Sequence, residues 1–177
     1  MVVTKRKVEE LKEVCMEPDK VNEREISYYV IHSEGRNITI LNPLMLGAEY
    51  NKTYGHYHVP HYPETYILLN GEGAVLMQRL KNLNDYFGEV EEVILQRLEK
   101  GKETEIPKGF GHILINLGSE LLIVKDNWSN QNAKHTYEPI KQKRGFGYYI
   151  LKDKSGNIEF VKNKNYVDLP PLKLKGF

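Results

Sequence analysis

Hydrophobic positions in the opening segment recur at three- and four-residue spacing. Val8, Leu11, Val14 and Cys15 stand among lysines and glutamates and stop before Pro18, a pattern that predicts one amphipathic helix over about residues 4–17. Beyond it the period changes. Residues 37–42, 65–69, 73–80, 121–125, 145–151 and 157–161 are short runs rich in β-branched and aromatic side chains, bounded by Gly, Pro or Asn, and each reads as a strand. The stretch 89–98 starts Glu-rich, as a helix would, but its Val93-Ile94-Leu95 centre reads as a buried strand. Asn70-Gly71 and Ser155-Gly156-Asn157 tolerate the positive φ of a tight turn, so both predict hairpins. Many short strands predict an all-β barrel or sandwich over about 25–162. The final stretch, 163–177, carries Pro170-Pro171 and reads as a packing tail.

Composition narrows the function classes. A length of 177 residues with 40% hydrophobic and 28% charged side chains suits one domain with a sizeable core, and no repeat or linker divides it. The net charge of +1, without a basic cluster, argues against nucleic acid or an anionic membrane as partner. The single cysteine, Cys15, forms no internal disulfide and offers no thiolate cluster, which fits a reducing compartment. No apolar leader opens the sequence and no run is long enough to span a bilayer, so a cytoplasmic protein is expected.

The chemistry starts at Gly55-His56-Tyr57-His58. Residues two apart on a strand share a face, so His56 and His58 present two imidazoles side by side. Glu64 follows six residues later, across a loop with Pro60 and Pro63 that can return a carboxylate to the pair. Gly101, Pro107, Gly109, His112 and Asn116 then supply a second turn and a third imidazole. His-x-His alone is a common surface or core pair. The whole spaced set is far more restrictive. Three histidines and a carboxylate predict a site for one divalent metal, iron(II) first, with manganese, nickel or zinc as alternatives. His61 reads as a solvated loop residue and His32 as a strand end without a role.

The two segments resemble the two motifs of the cupin superfamily. The second fits at every fixed position; in the first, the leading glycine, Gly47, lies nine residues before His56 and not six. The chain further resembles the cupin-type glucose-6-phosphate isomerases of archaea in Gly55-His56-Tyr57-His58, Glu64-Thr65-Tyr66, Gly71-Glu72-Gly73 and Ala133-Lys134-His135-Thr136-Tyr137. That resemblance implies a jelly-roll (double-stranded β-helix) barrel with a short N-terminal helix. It implies His56, His58, Glu64 and His112 as metal ligands, and Thr39, Thr53 and the Gly55 N–H as contacts to a substrate phosphate. It also implies catalytic roles for Glu64, Tyr66, His135 and Tyr137 in interconverting glucose 6-phosphate and fructose 6-phosphate. The C2 proton would pass through an enediol, or hydride would shift directly. Gly109-Phe110-Gly111 stands where these isomerases carry an aromatic pair, so Lys108, with Lys52, is expected to supply charge to the phosphate. A cupin dioxygenase or decarboxylase would use the same ligands, and a non-catalytic sugar-binding cupin would use the barrel as a sensor. Open strand edges lead us to expect a homodimer.

Overall fold

The structure is a computed structural model that describes residues 2–21, 24–128 and 134–177. In chain order it contains β1 (Val2–Lys7), α1 (Val8–Leu11), β2 (Ile26–Ser33), β3 (Arg36–Leu41), β4 (Met45–Leu46), β5 (Glu49–Tyr50), β6 (Tyr57–Val59) and β7 (Glu64–Asn70). It continues with β8 (Gly73–Leu80), β9 (Val90–Arg97), β10 (Glu103–Ile106), β11 (Phe110–Asn116), β12 (Leu122–Asp126), β13 (Lys134–Thr136), α2 (Glu138–Gln142), β14 (Tyr148–Lys152), β15 (Ile158–Lys162) and β16 (Leu172–Lys175).

A six-stranded sheet runs β1-β2-β3-β12-β7-β10, and a four-stranded sheet runs β11-β8-β9-β16. Smaller sheets, β13-β6 and β15-β14-β5-β4, complete the jelly-roll barrel that the cupin motifs imply. Burial follows position in these layers. β10 alternates exposed and buried residues, as a strand covered on one face does, whereas β11 is buried at every position and β8 at all but one. Leu76, Met77, Leu95, Ile113, Leu114 and Ile115 fill the core. Each such side chain contributes roughly 1.5–3 kcal/mol when fully removed from water.

Two expectations change. The helix predicted over 4–17 is mostly not one: residues 2–7 form β1, antiparallel to β2, and α1 is a single turn followed by 3-10 turns at Lys12–Val14 and Pro18–Lys20. Val8, Leu11, Val14 and Cys15 are all buried as their spacing suggested. The β-branched Val2, Val3 and Thr4 instead gain ladder hydrogen bonds from β2, which a lone short helix could not match against its nucleation cost. Asn70-Gly71 is also not a hairpin. β7 belongs to the six-stranded sheet and β8 to the four-stranded one, so the turn is a corner between sheets. Gly71 takes φ +82, and a Cβ there would lie 2.6 Å from the Leu121 carbonyl oxygen, so only glycine fits the corner. Ser155-Gly156-Asn157 does close the β14–β15 hairpin, with Asp153 Oδ1 accepting from the N–H groups of Ser155 and Asn157. The 89–98 stretch is strand β9, and the tail adds β16 to its edge in parallel.

Candidate functional site

His56 and His58 flank Tyr57 where β6 begins. Alternation sends the Tyr57 ring into the core, where its oxygen accepts from Gln78 Nε2 at 2.7 Å, and leaves the two imidazoles on the cavity face. A Cβ on Gly111 would lie 2.6 Å from the Tyr57 ring, and Gly109 holds φ +88. This contact and this backbone angle explain why the segment before His112 is glycine-rich here. β11 brings His112 opposite His56, and the two backbones exchange hydrogen bonds: His56 N–H to the His112 carbonyl at 3.3 Å and His112 N–H to the His56 carbonyl at 3.0 Å. Glu64 enters as the first residue of β7, and Asn116 at the far end of β11 donates to the carbonyls of Leu41 and Glu120, closing the following turn.

The four side chains meet. One ligand atom from each of His56, His58, Glu64 and His112 lies within 4.8 Å of all the others, an arrangement that could hold a metal ion. His56 Nε2 and His58 Nε2 are 3.1 Å apart, Glu64 Oε2 is 3.1 Å from His112 Nε2, and Glu64 Oε2 is 3.5 Å from His58 Nε2. His58 Nδ1 faces the Tyr62 carbonyl at 3.2 Å; donation there leaves the Nε2 lone pair turned to the centre. Glu64 Oε2 and His112 Nε2 are buried without a hydrogen-bond partner among the described residues. Buried polar atoms are rarely left so, and a shared cation would satisfy both.

Electrostatics agree with the geometry. Burial holds His56 and His58 below the ordinary imidazole value, with His112 adding to the effect, and holds His112 at about 4. All three rings are therefore neutral at pH 7, the form that ligates metal. Burial, assisted by the Asp126 carboxylate, pushes Glu64 up to about 8. A carboxyl that resists ionising alone, facing three neutral imidazoles, is a site that favours an added positive charge.

The cluster opens into a cavity of about 310 Å³, within the usual range for small-ligand sites. Thr39, Thr53, Gly55, His56, Glu64, Tyr66, His135 and Tyr137 all line it. Thr53 Oγ1 accepts the Leu114 N–H at 3.0 Å, leaving its hydroxyl proton to donate. Gly55 takes φ +83, and a Cβ would lie 2.8 Å from Ile113 Cγ1, so its bare backbone is required by packing as well as by any ligand. His135 sits opposite His58 in the β13–β6 pair, its ring stacks on His56 at 3.9 Å, and its Nδ1 is 3.2 Å from the Tyr137 hydroxyl. Burial lowers His135 to about 4 and raises Tyr137 and Tyr66 above the ordinary phenol value, so the imidazole is neutral and both phenols keep their protons at pH 7. Tyr66 stands edge-on to His112 at 5.7 Å. Ala133, part of the motif around His135, lies outside the described residues.

Neither expected lysine lines the cavity. Lys108 is exposed on the turn before β11, because Gly109 reverses the chain there and leaves the side chain in water. Lys52 points the other way into the barrel wall, where its Nζ pairs with Glu49 Oε1 at 2.5 Å and donates to the Val14 carbonyl at 2.8 Å. His32, given no role from sequence, does line the cavity, with Nε2 3.0 Å from Thr4 Oγ1 and Nδ1 3.1 Å from Asn37 Oδ1. Asp126 accepts from the N–H groups of Asn37 and Trp128, and Trp128 stacks over His58 at 4.2 Å. Sequence reasoning missed Asn37, Asp126 and Trp128 altogether. The one local signal was an acidic residue and an indole at the end of a predicted strand. His61 is not free in solvent but contacts the Leu83 carbonyl at 2.7 Å and packs on Tyr86.

Comparison with known proteins places the chain among relatives. The family profile described as "Glucose-6-phosphate isomerase (GPI)" matches residues 8–168. A glucose-6-phosphate isomerase of Thermococcus gammatolerans is 30% identical over 145 residues, covering 78% of this chain and 70% of that protein. That of Pyrococcus abyssi is 30% identical over 129 residues, or 72% of this chain, and the match spans only 62% of the relative's length. Among solved structures, the capsular polysaccharide assembling protein CapF from Staphylococcus aureus superposes with a TM-score of 0.43 at 16% identity, over 71% of this chain and 28% of CapF. The Drosophila melanogaster CENP-C cupin domain superposes with a TM-score of 0.40 at 16% identity, over 54% of this chain and 60% of that one. On the extent of the family match and the identity to the Thermococcus protein, this chain belongs to the glucose-6-phosphate isomerase family.

Proposed function

We propose that the chain is a metal-dependent isomerase that interconverts glucose 6-phosphate and fructose 6-phosphate. The observation that carries this reading is convergence. His56 and Glu64, which with His58 and His112 form the ligand-competent cluster, line the same cavity that presents Thr39, Thr53, Gly55, His135 and Tyr137. A divalent cation held there, iron(II) in first place, would act as a Lewis acid toward the sugar's carbonyl and neighbouring hydroxyl. The chain's own groups handle the rest. The Thr39 and Thr53 hydroxyls and the Gly55 N–H are donors suited to phosphate oxygens. The His135 imidazole, neutral and hydrogen-bonded to Tyr137, can accept or return a proton at a sugar oxygen during ring opening. Of the two acidic side chains lining the cavity, Asp126 is occupied by backbone donors, so Glu64, ionised by the cation and released from it when the sugar oxygens bind, would be the group for moving the C2 proton. Proton abstraction by Glu64 exchanges that hydrogen with solvent, and a direct hydride shift does not, so deuterium incorporation into product separates the two routes. β1 is a sheet edge with Val2 and Val3 exposed, which supports a homodimer testable by gel filtration.

The test of function is a coupled assay of glucose 6-phosphate conversion with and without a chelator. Metal-dependent turnover in the absence of oxygen is the expected outcome. Oxygen consumption by the iron-loaded protein, without isomerisation, would replace this reading with an oxygenase, and inertness in both assays would leave a sugar-binding protein.

A further inference from the structure

A sugar phosphate brings nearly two negative charges, and the cavity must answer them. Its acidic side chains are Glu64 and Asp126, and its buried imidazoles are neutral. With Lys52 paired to Glu49 and Lys108 in solvent, the remaining cationic side chains among the described lining residues are Lys5 and Arg6 of β1. Register decides between them. Arg6 pairs with Tyr28 and Thr4 pairs with Val30, which in turn pairs with Thr39, so Arg6 and Thr4 share the cavity face of the sheet with Tyr28, Val30 and Thr39. Lys5 alternates to the other face of the strand.

We propose that Arg6 is a specificity-determining residue whose guanidinium receives the phosphate of the sugar substrate, beside the hydroxyls of Thr39 and Thr53. The inference rests on the cavity taking a sugar phosphate, and it assigns a residue that lies upstream of the family match over 8–168. The Arg6 head is held at the cavity rim by a 2.9 Å bond to Glu10 Oε1, an i,i+4 pair with its side chains 31% and 42% exposed, and it sits 5.4 Å from the Tyr54 ring centre and 6.0 Å from that of Tyr137. A solvent-screened pair of this kind is weak and is readily exchanged for a phosphate. The guanidinium fork offers five N–H donors in a plane, of which Glu10 takes one and the Tyr28 hydroxyl another, and phosphate accepts two in parallel. Packing beside two aromatic rings limits the rotamers the side chain loses on binding.

The test is calorimetric titration of inorganic phosphate, glucose 6-phosphate and glucose into the full chain, with kinetics on glucose 6-phosphate, for wild type, Arg6→Gln and Arg6→Lys. Arg6→Gln is expected to weaken phosphate and glucose 6-phosphate binding at least tenfold and to raise KM by a similar factor with kcat within about threefold, while glucose binding is unchanged. Arg6→Lys, which keeps charge but not the fork, is expected to fall in between; should Arg6→Gln fail to fold, a severalfold loss in Arg6→Lys supports the assignment and full wild-type affinity overturns it. A folded Arg6→Gln with wild-type phosphate affinity overturns it, as does a wild type that binds no phosphate. Wild-type protein that binds phosphate through Arg6 yet does not convert glucose 6-phosphate sinks the isomerase reading and leaves the Arg6 assignment standing.

Discussion

His112→Ala removes a buried Nε2 that has no hydrogen-bond partner among the described residues, so an effect on the ion is expected beyond that of truncating a buried side chain. Elemental analysis of reconstituted protein is expected to show the divalent ion lost from the variant, with turnover down by roughly a hundredfold or more, since the loss of even an outer-shell partner costs 10–100-fold. Full ion content in the variant would remove His112 from the ligand set. Glu64 carries a pH signature in the metal-free protein. Its folded value of about 8 lies above the ordinary 4.5, so between those values the native state holds a proton that the unfolded chain has released, and stability falls as pH rises. His112 and His135, lowered from 6.5 to about 4, act in the opposite direction but only below about 6.5. From pH 6.5 to 8 the Glu64 effect therefore stands alone, about 2 kcal/mol and about 4–8 °C in Tm. Glu64→Gln is expected to flatten that decline in thermal melts; an equal decline in the variant would place the buried proton elsewhere.

Strand β6 and its bridge to β11 form the element that sets the site. Gly55→Ala would force φ +83 on an L-residue and drive a Cβ to 2.8 Å from Ile113 Cγ1. A loss of roughly 1–3 kcal/mol is expected in denaturant unfolding, together with weaker ion binding, because the His56–His112 backbone pair begins one residue later. Unchanged ion affinity in a destabilised Gly55→Ala would show that the ligands are held independently of this bridge. Much of β6 to β11 was legible in sequence, since His-x-His on one strand face and glycine at tight turns are local rules. β1 was less so. The helical spacing of Val8, Leu11, Val14 and Cys15 is real and all four are buried, but it says nothing about Val2–Lys7, whose strand exists only because β2 lies alongside.

At the scale of the whole molecule the four candidate ligands come from segments of three different sheets, at β6, β7 and β11, so a bound cation would add a tie to the His56–His112 backbone bridge that already joins two of them. A ligand bound only by the folded state stabilises by about 2.7 kcal/mol at a hundredfold excess over its Kd, or about 5–10 °C for a chain of this size. Chelation is expected to lower Tm by that order in differential scanning calorimetry, and an unaltered melt would argue against a resident ion. Among the described residues no helix is long and apolar enough to cross a membrane. The sequence by itself determined the all-β character, the glycine positions and the four ligand candidates, because alternation, φ preference and donor spacing are properties of neighbours along the chain. Only the tertiary structure decided that Asn70-Gly71 turns a corner between sheets, that Lys52 and Lys108 face away, and that Arg6, His32, Asp126 and Trp128 join the cavity. Those outcomes depend on which strands pair across dozens of residues, a choice made by burying both sheets' inner faces together and invisible to any local period.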